Sequence, residues 1–491
     1  SIIKGNLYSL ITTMRTIFGI RLFIMLVVVT CFLPKPATAQ SITISEELAL
    51  RNDYAYTILG WVDKNMLLFR DKGHAFFIQA FDEELHLKWE RELYLSDSRA
   101  DIIGIVAHDD RFHIIYGTRQ KGSYAVLHKA FSNDVTLVDT STITRFENAF
   151  MIPRFLMRES EDKSKVLLYK QENNSLQLYS YDLHTLQILW AKSINFEGTQ
   201  LEEDYSPLII NNYGDFFLPM RSERTQQKIQ YLHVLSSAPN VIQVIHDTIR
   251  LGDIQILDIF PVYDHIQRCL VVTGLCGERN TSRAKGFYFV RYHDDMRAEM
   301  SLLQFDESLL TEVNGRGVAV SKGLSDFTVQ RVALRQDGGV VIIAELIKEF
   351  SRRSSLPMQR DNGAYAREGW VDYYFEDMIL FAVHPDGKEH WKEVLRKRQY
   401  SQDDGAMYSS FMLFKTPEHL RFLFNDEIKQ ENTVGGYEVT GNGYVERKTV
   451  FNTDYQRLKL RFRDGVQLSN NECIVPSERG SKLNLVRIQF K

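Results

Sequence analysis

The chain has 491 residues, 44% hydrophobic and 25% charged, with a formal net charge of -4. That is the make-up of a globular protein, and the slight acidic excess argues against a general nucleic-acid binder. Length alone suggests about three domains at ~150 residues each, yet closed all-β folds often run longer as one unit.

The first 39 residues read as targeting sequence. Residues 1–13 lie upstream of a start at Met14 and read as leader. Met14, Arg15 and Arg21 form a basic start, Leu22–Leu33 is nearly all apolar, and Ala37-Thr38-Ala39 offers the small residues a signal peptidase admits. The expected signal peptide is 14–39, the expected single mature domain 40–491, and the expected location the periplasm or the outer membrane. Once Cys31 leaves with the signal, Cys269, Cys276 and Cys473 remain. An odd count is no disulfide framework, and Cys269 and Cys276 fall on opposite faces of one strand.

From Ser41 onward the pattern is β. Short strands rich in Val, Ile, Leu, Phe and Tyr are broken every ~8–12 residues by Asp, Asn and Gly. One short helix is expected at Glu307–Val313. The strands group in fours, over 57–93, 101–140, 150–194, 206–248, 254–305, 327–395 and 409–450. The clearest group is the sixth, where Gln336-Asp337-Gly338-Gly339 and His384-Pro385-Asp386-Gly387-Lys388 supply the hairpin turns. The tail offers only three strands, from Leu458–Arg463, Cys473–Val475 and Leu483–Phe490, and Ile42–Ser45 can add the fourth. The prediction is an all-β propeller of about eight four-stranded blades, with seven as the alternative, closed by strands from both ends of the chain.

A second signal marks the third-to-fourth strand hairpins. Phe81-Asp82 precedes Trp89, Tyr181-Asp182 precedes Trp190, and Asp386-Gly387-Lys388-Glu389-His390-Trp391 is the sharpest case; Tyr292–Asp295 echoes the turn without the Trp. The Asp is expected to cap the turn and the Trp to lie against the neighbouring sheet. This pattern resembles the docking repeat of quinoprotein-like propellers, and the chain also looks like uncharacterised exported propellers of the Bacteroidota. The resemblance implies an eight-bladed ring and a role as either a scaffold or a quinone-dependent dehydrogenase. The metal site, catalytic Asp and stacking aromatic of the latter are not found, so no cofactor is expected.

In a propeller, loops between second and third strands share a face with the connections between blades. The long loops Gly277–Lys285, Asp306–Ser325, Ser351–Gly369 and Arg396–Met407 fall there, and loops on a rigid scaffold are where binding residues gather. The candidates are Arg279, Arg283, Arg352, Arg353, Arg360, Tyr365, Arg367, Lys397, Arg398 and Asp403. Arginine forks suit carboxylates and phosphates, so an envelope protein or an anionic glycan is the expected partner, with a monomeric propeller that can join a membrane complex. Trp370, Tyr373 and Tyr374 are assigned to ordinary blade packing. The alternative function is an envelope polysaccharide hydrolase or lyase using Asp361, Glu368, Asp403 and Asp404. His108, Asp109, Asp110 and His113 look metal-like but sit on a hairpin, where Asp-Asp is turn chemistry. No catalytic or metal site is expected.

Overall fold

A computed structural model describes residues 40–51, 53–73, 75–96, 99–120, 122–147, 152–222, 230–315, 322–353, 358–359, 365–366, 369–426, 428, 433–453 and 457–490. The expected signal peptide and leader lie outside them. The chain forms eight antiparallel sheets of four principal strands arranged as a ring. The first blade runs Ala55–Val62, Asn65–Asp71, Phe76–Phe81 and Leu87–Leu93 in order from the axis outward, and the following six repeat that order.

The eighth blade is shared between the ends. Val466–Gln467, Glu472–Arg479 and Lys482–Gln489 form its inner three strands, and Ser41–Ile44 pairs with Lys482–Gln489 as the outer one, from Ser41 opposite Gln489 to Ile44 opposite Val486. Ser41 Oγ also bonds Gln489 Oε1 at 3.1 Å. This pairing fills the edge that a three-stranded tail would leave open.

The cores lie between blades. Eight hydrophobic clusters form among the described residues, one for each neighbouring pair. Cluster membership alternates along a strand. From the strand Val340–Arg353, Val340, Ile342 and Ala344 pack against the fifth blade, whereas Val341 and Ile343 pack against the seventh. A blade with both faces covered reads as a continuous apolar run, which is why these segments do not alternate cleanly with polar residues. The cluster joining Leu483 and Leu485 to Met66, Leu68 and Phe81 closes the ring. Cys269 and Cys276 belong to clusters on opposite sides of the fifth blade, and all three cysteines are buried thiols.

The hairpin chemistry follows expectation. Asp82 Oδ1 accepts from the Glu84 and His86 amides, Asp182 Oδ1 from those of His184 and Thr185, and Asp386 Oδ1 from that of Lys388. Trp190 Nε1 donates to the Gly214 carbonyl of the fourth blade at 2.9 Å, and Trp391 Nε1 to the Gly441 carbonyl of the seventh at 3.0 Å. Gly443 lies against the Trp391 ring with φ +88°, and a β-carbon there would meet ring atoms at 2.8 Å. Gly443→Ala is therefore expected to destabilise by about 1–3 kcal/mol, from backbone strain and a displaced indole. A urea midpoint equal to that of the parent chain would refute this docking contact.

Several boundaries differ from expectation. The inner strand of the fourth blade is only Ile209–Ile210, and that of the seventh starts at Met412. In the fifth, the inner strand is broken into Ile254–Ile256 and Phe260–Asp264. Between them Asp258 turns inward, and its carboxylate accepts amides from Leu275 and, at 2.8 Å, from Val329 of the next blade. Burial raises the Asp258 pKa to about 6. The tail segment 458–463 is not a strand. Leu460 makes a single bridge to Ser477, and Phe462–Asp464 forms a 3-10 turn. The helix forms at Glu307–Asn314, capped by the Asp306 carboxylate on the Leu309 amide at 2.9 Å.

Candidate functional site

The sixth blade carries an arm. Its two middle strands, Val340–Arg353 and Gly369–Val383, are 14 and 15 residues long. The inner neighbour pairs with the first only as far as Leu346, and the outer neighbour with the second only as far as Met378. Beyond a bulge at Glu345–Ile347 the two strands continue as a ribbon, Ile347 opposite Phe375 through Arg353 opposite Gly369. The strand Gln399–Gln402 pairs along its edge, from Phe375 opposite Gln399 to Asp372 opposite Gln402.

Register places Lys348, Tyr374 and Tyr400 abreast on one side of this ribbon, followed by Phe350 with Asp372 and then Arg352 with Trp370. Phe350 meets Tyr374 edge-on at 5.8 Å, and Tyr374 lies 5.0 Å from Tyr400. Phe350 is 49% exposed. Beneath the row, buried Asp372 accepts the Tyr400 hydroxyl at 2.8 Å and pairs with exposed Arg352 at 2.6 Å. Trp370, Tyr373 and Tyr374 belong to none of the inter-blade cores, so their assignment to ordinary blade packing is corrected. The extended strands carry them past the end of the sheet.

The other predicted residues are distributed as follows. Arg279 pairs with Asp253 at 2.8 Å on the fifth blade, where Arg283 is half-buried and Lys285 pairs with Glu278. Arg398 is exposed. Arg353 ends the long strand, and Tyr365 lies in the two-residue strand Tyr365–Ala366, paired with Met358–Gln359. Arg360, Asp361, Arg367 and Glu368 lie outside the described residues.

Asp403 and Asp404 serve the backbone. Asp403 Oδ1 accepts the Val371 amide and Asp404 Oδ1 the Ala406 amide.

Lys397 is a correction. It is buried between the sixth and seventh blades, where its ammonium meets Glu345 at 2.7 Å with both side chains fully enclosed. The Phe375 carbonyl and Gln399 Oε1 accept its remaining protons, and Ser410 Oγ donates to Glu345 at 2.6 Å. Burial holds the Lys397 pKa below its ordinary value despite that carboxylate. A lysine next to two arginines in a long loop looks like surface; only the fold turns it inward.

The metal-like cluster resolves as structure. Asp109 holds the turn at φ 54°. His113 Nδ1 lies 3.0 Å from His128 Nε2, and His128 Nδ1 lies 3.0 Å from the Tyr181 hydroxyl of the next blade. Burial lowers His113 to about 3 and His128 to about 4, so both are neutral at pH 7.

A cavity of about 330 Å³ opens at the mouth of the central channel, on the arm's face. Its lining comes from the inner strand of the sixth blade (Gln330, Arg331) and from the connections entering the seventh (Ser410) and eighth (Arg461, Arg463, Asp464). A neighbouring cavity of about 690 Å³ shares Arg461 and Asp464 and continues to Tyr54, Tyr56 and Glu478. Arg461 is held by Asp464 at 2.6 Å, by Glu478 and by the Tyr56 hydroxyl. Sequence reasoning missed these residues. Arg331 sits as a lone charge within an apolar run, and Arg461-Phe462-Arg463 falls at the end of an expected strand.

No family model matches the chain, and no curated protein does. Solved structures similar to it include the Dos1 propeller, at 9% identity over 91% of this chain and 94% of that one, with a TM-score of 0.42. The Nup133 β-propeller domain of Vanderwaltozyma polyspora is 9% identical over 93% and 99%, also with a TM-score of 0.42. A duf4221 family member from Bacteroides vulgatus is 10% identical over 84% and 99%, with a TM-score of 0.34. Similarity at this level bears on fold alone, and the eight-bladed β-propeller rests on the strand pairing and inter-blade cores of this chain itself.

Proposed function

We propose that this chain is a non-catalytic binding or scaffold propeller of the bacterial cell envelope, exported by its residues 14–39, that docks a partner protein on the face bearing the sixth-blade arm. The aromatic row of Phe350, Tyr374 and Tyr400 beside Arg352 carries this reading. Aromatic and arginine side chains supply most of the energy at protein interfaces, and this row stands clear of every core the fold needs. The docking turns at Asp82, Asp182 and Asp386 support kinship with quinoprotein-like repeats used as architecture rather than as a quinone site.

The test is affinity purification from the native envelope with mass spectrometry of what co-elutes. One stoichiometric outer-membrane or periplasmic protein is expected. The F350A/Y374A variant should lose at least about tenfold of that recovery, and joint neutralisation of Arg352, Arg353 and Arg360 should weaken it further. Undiminished recovery with both variants would reject the arm as the docking site.

A further inference from the structure

We infer that the channel-mouth cavity is an anion site that takes a phosphate group, either free or as the monoester of a small molecule. The carrying feature is two guanidiniums converging on one cavity without carboxylates of their own. Arg331 reaches only the carbonyl of its neighbour Gln330, at 2.8 Å. Arg463 lies 5.8 Å from the Phe375 ring. Neither makes an ion pair among the described residues, although nearby Arg461 has two carboxylate partners.

Arg461 is already met by Asp464 and Glu478, so the charges left without an ion-pair partner at the cavity are the guanidiniums of Arg331 and Arg463. Like charges placed together cost free energy unless a counter-anion sits between them. Arg331 opens to the channel, and burial by surrounding protein, then the Arg463 charge, hold its pKa below the ordinary arginine value, with Glu345 offsetting part of the effect. Two paired guanidinium forks match a phosphate dianion better than a single carboxylate in both charge and number of acceptors. A volume of about 330 Å³ lies at the small end of ligand sites and exceeds what a bare phosphate fills, which favours an ester.

The second cavity offers a place for the organic part. Tyr54 is 82% exposed there, and one side of its ring lies close to Gly73, where a β-carbon would fall 2.1 Å from a ring carbon. The chain thus holds one edge of the ring, and the rest stays open to solvent as an aromatic surface for an organic group. This site shares no residue with the aromatic row of the arm and stands whether or not that row docks a protein.

The test uses the full chain in titration calorimetry at fixed ionic strength, with inorganic phosphate, glucose 1-phosphate and glucose as probes. Saturable binding of a phosphate probe with Kd at or below about 1 mM is expected, and none of glucose. R463Q should weaken it at least tenfold and R331Q/R463Q should abolish it, whereas R352Q on the arm should leave it unchanged. Tighter binding of glucose 1-phosphate than of phosphate would identify the ester as the ligand class; equal binding would identify the free anion. Arg463 is an exposed connection residue, so R463Q alone remains informative if the double variant fails to fold. Absence of saturable binding by both phosphate probes, or binding that survives R463Q unchanged, would overturn the assignment.

Discussion

Replacing Lys397 with methionine is expected to lower stability by roughly 3–5 kcal/mol, because it strands the Glu345 carboxylate in a dry site. Glu345 would keep only the Ser410 hydroxyl, and Gln399 Oε1 would lose one of its donors. The double variant E345M/K397M should recover most of the loss, since a buried ion pair often gives little more than well-packed apolar groups of its own size. Urea unfolding of the parent, the single and the double variants distinguishes these states. A single variant within about 1 kcal/mol of the parent would show that water or a shifted backbone already solvates the pair. Glu345 sits at the bulge where the arm begins and Lys397 on the connection leaving the sixth blade, so loss of the pair should also loosen the arm relative to the ring.

The second large effect concerns acid. In the unfolded chain His113 and His128 take protons near pH 6.5, but in the folded chain they do so at about 3 and about 4. Between those values the unfolded state binds more protons, so stability rises with pH across that window. The contribution is complete above pH 6.5 and is lost as pH falls towards 4. At 1.36 kcal/mol per unit, each ring accounts for on the order of 3 kcal/mol by pH 4. This is an upper bound, because the first proton opposes the second. The H113L/H128L variant should show a flatter stability profile between pH 6.5 and 4, measured as urea midpoint against pH. Comparing slopes rather than absolute midpoints removes the repacking cost of leucine. Parallel profiles for parent and variant would mean that these rings do not govern acid sensitivity.

Most of the ring was legible from the residues. Turn residues at fixed intervals marked the blades, and Asp-Gly hairpins such as Asp386-Gly387 pinned strand ends. The tail's shortage of one strand pointed to Ile42–Ser45. What the sequence concealed follows from position within the ring. The Leu458–Arg463 segment has a strand's apolar content, yet its carbonyls and amides bond to Asn425 and to the eighth blade instead of a ladder. Lys397 and Arg398 are adjacent in sequence, but one is enclosed and the other exposed, a difference decided by which side of a blade junction each faces. The channel-mouth arginines come from residues 331 and 461–463, far apart along the chain, and only closure of the ring brings them together.

That closure also orders the folding of the molecule. The Ser41 and Gln489 side chains that touch across the eighth blade are separated by 448 positions. Joining ends that far apart costs about 3 kcal/mol more loop entropy than forming a ten-residue hairpin. The seven blades built from contiguous sequence can zip early and locally, while the clasp between head and tail must wait for all of them. Until then, both the outward edge of Lys482–Gln489 and the apolar flank of the first blade lie bare. The chain is thus most exposed to mispairing with a second copy at its final step, so conditions that delay the clasp should favour exchanged dimers over isolated rings.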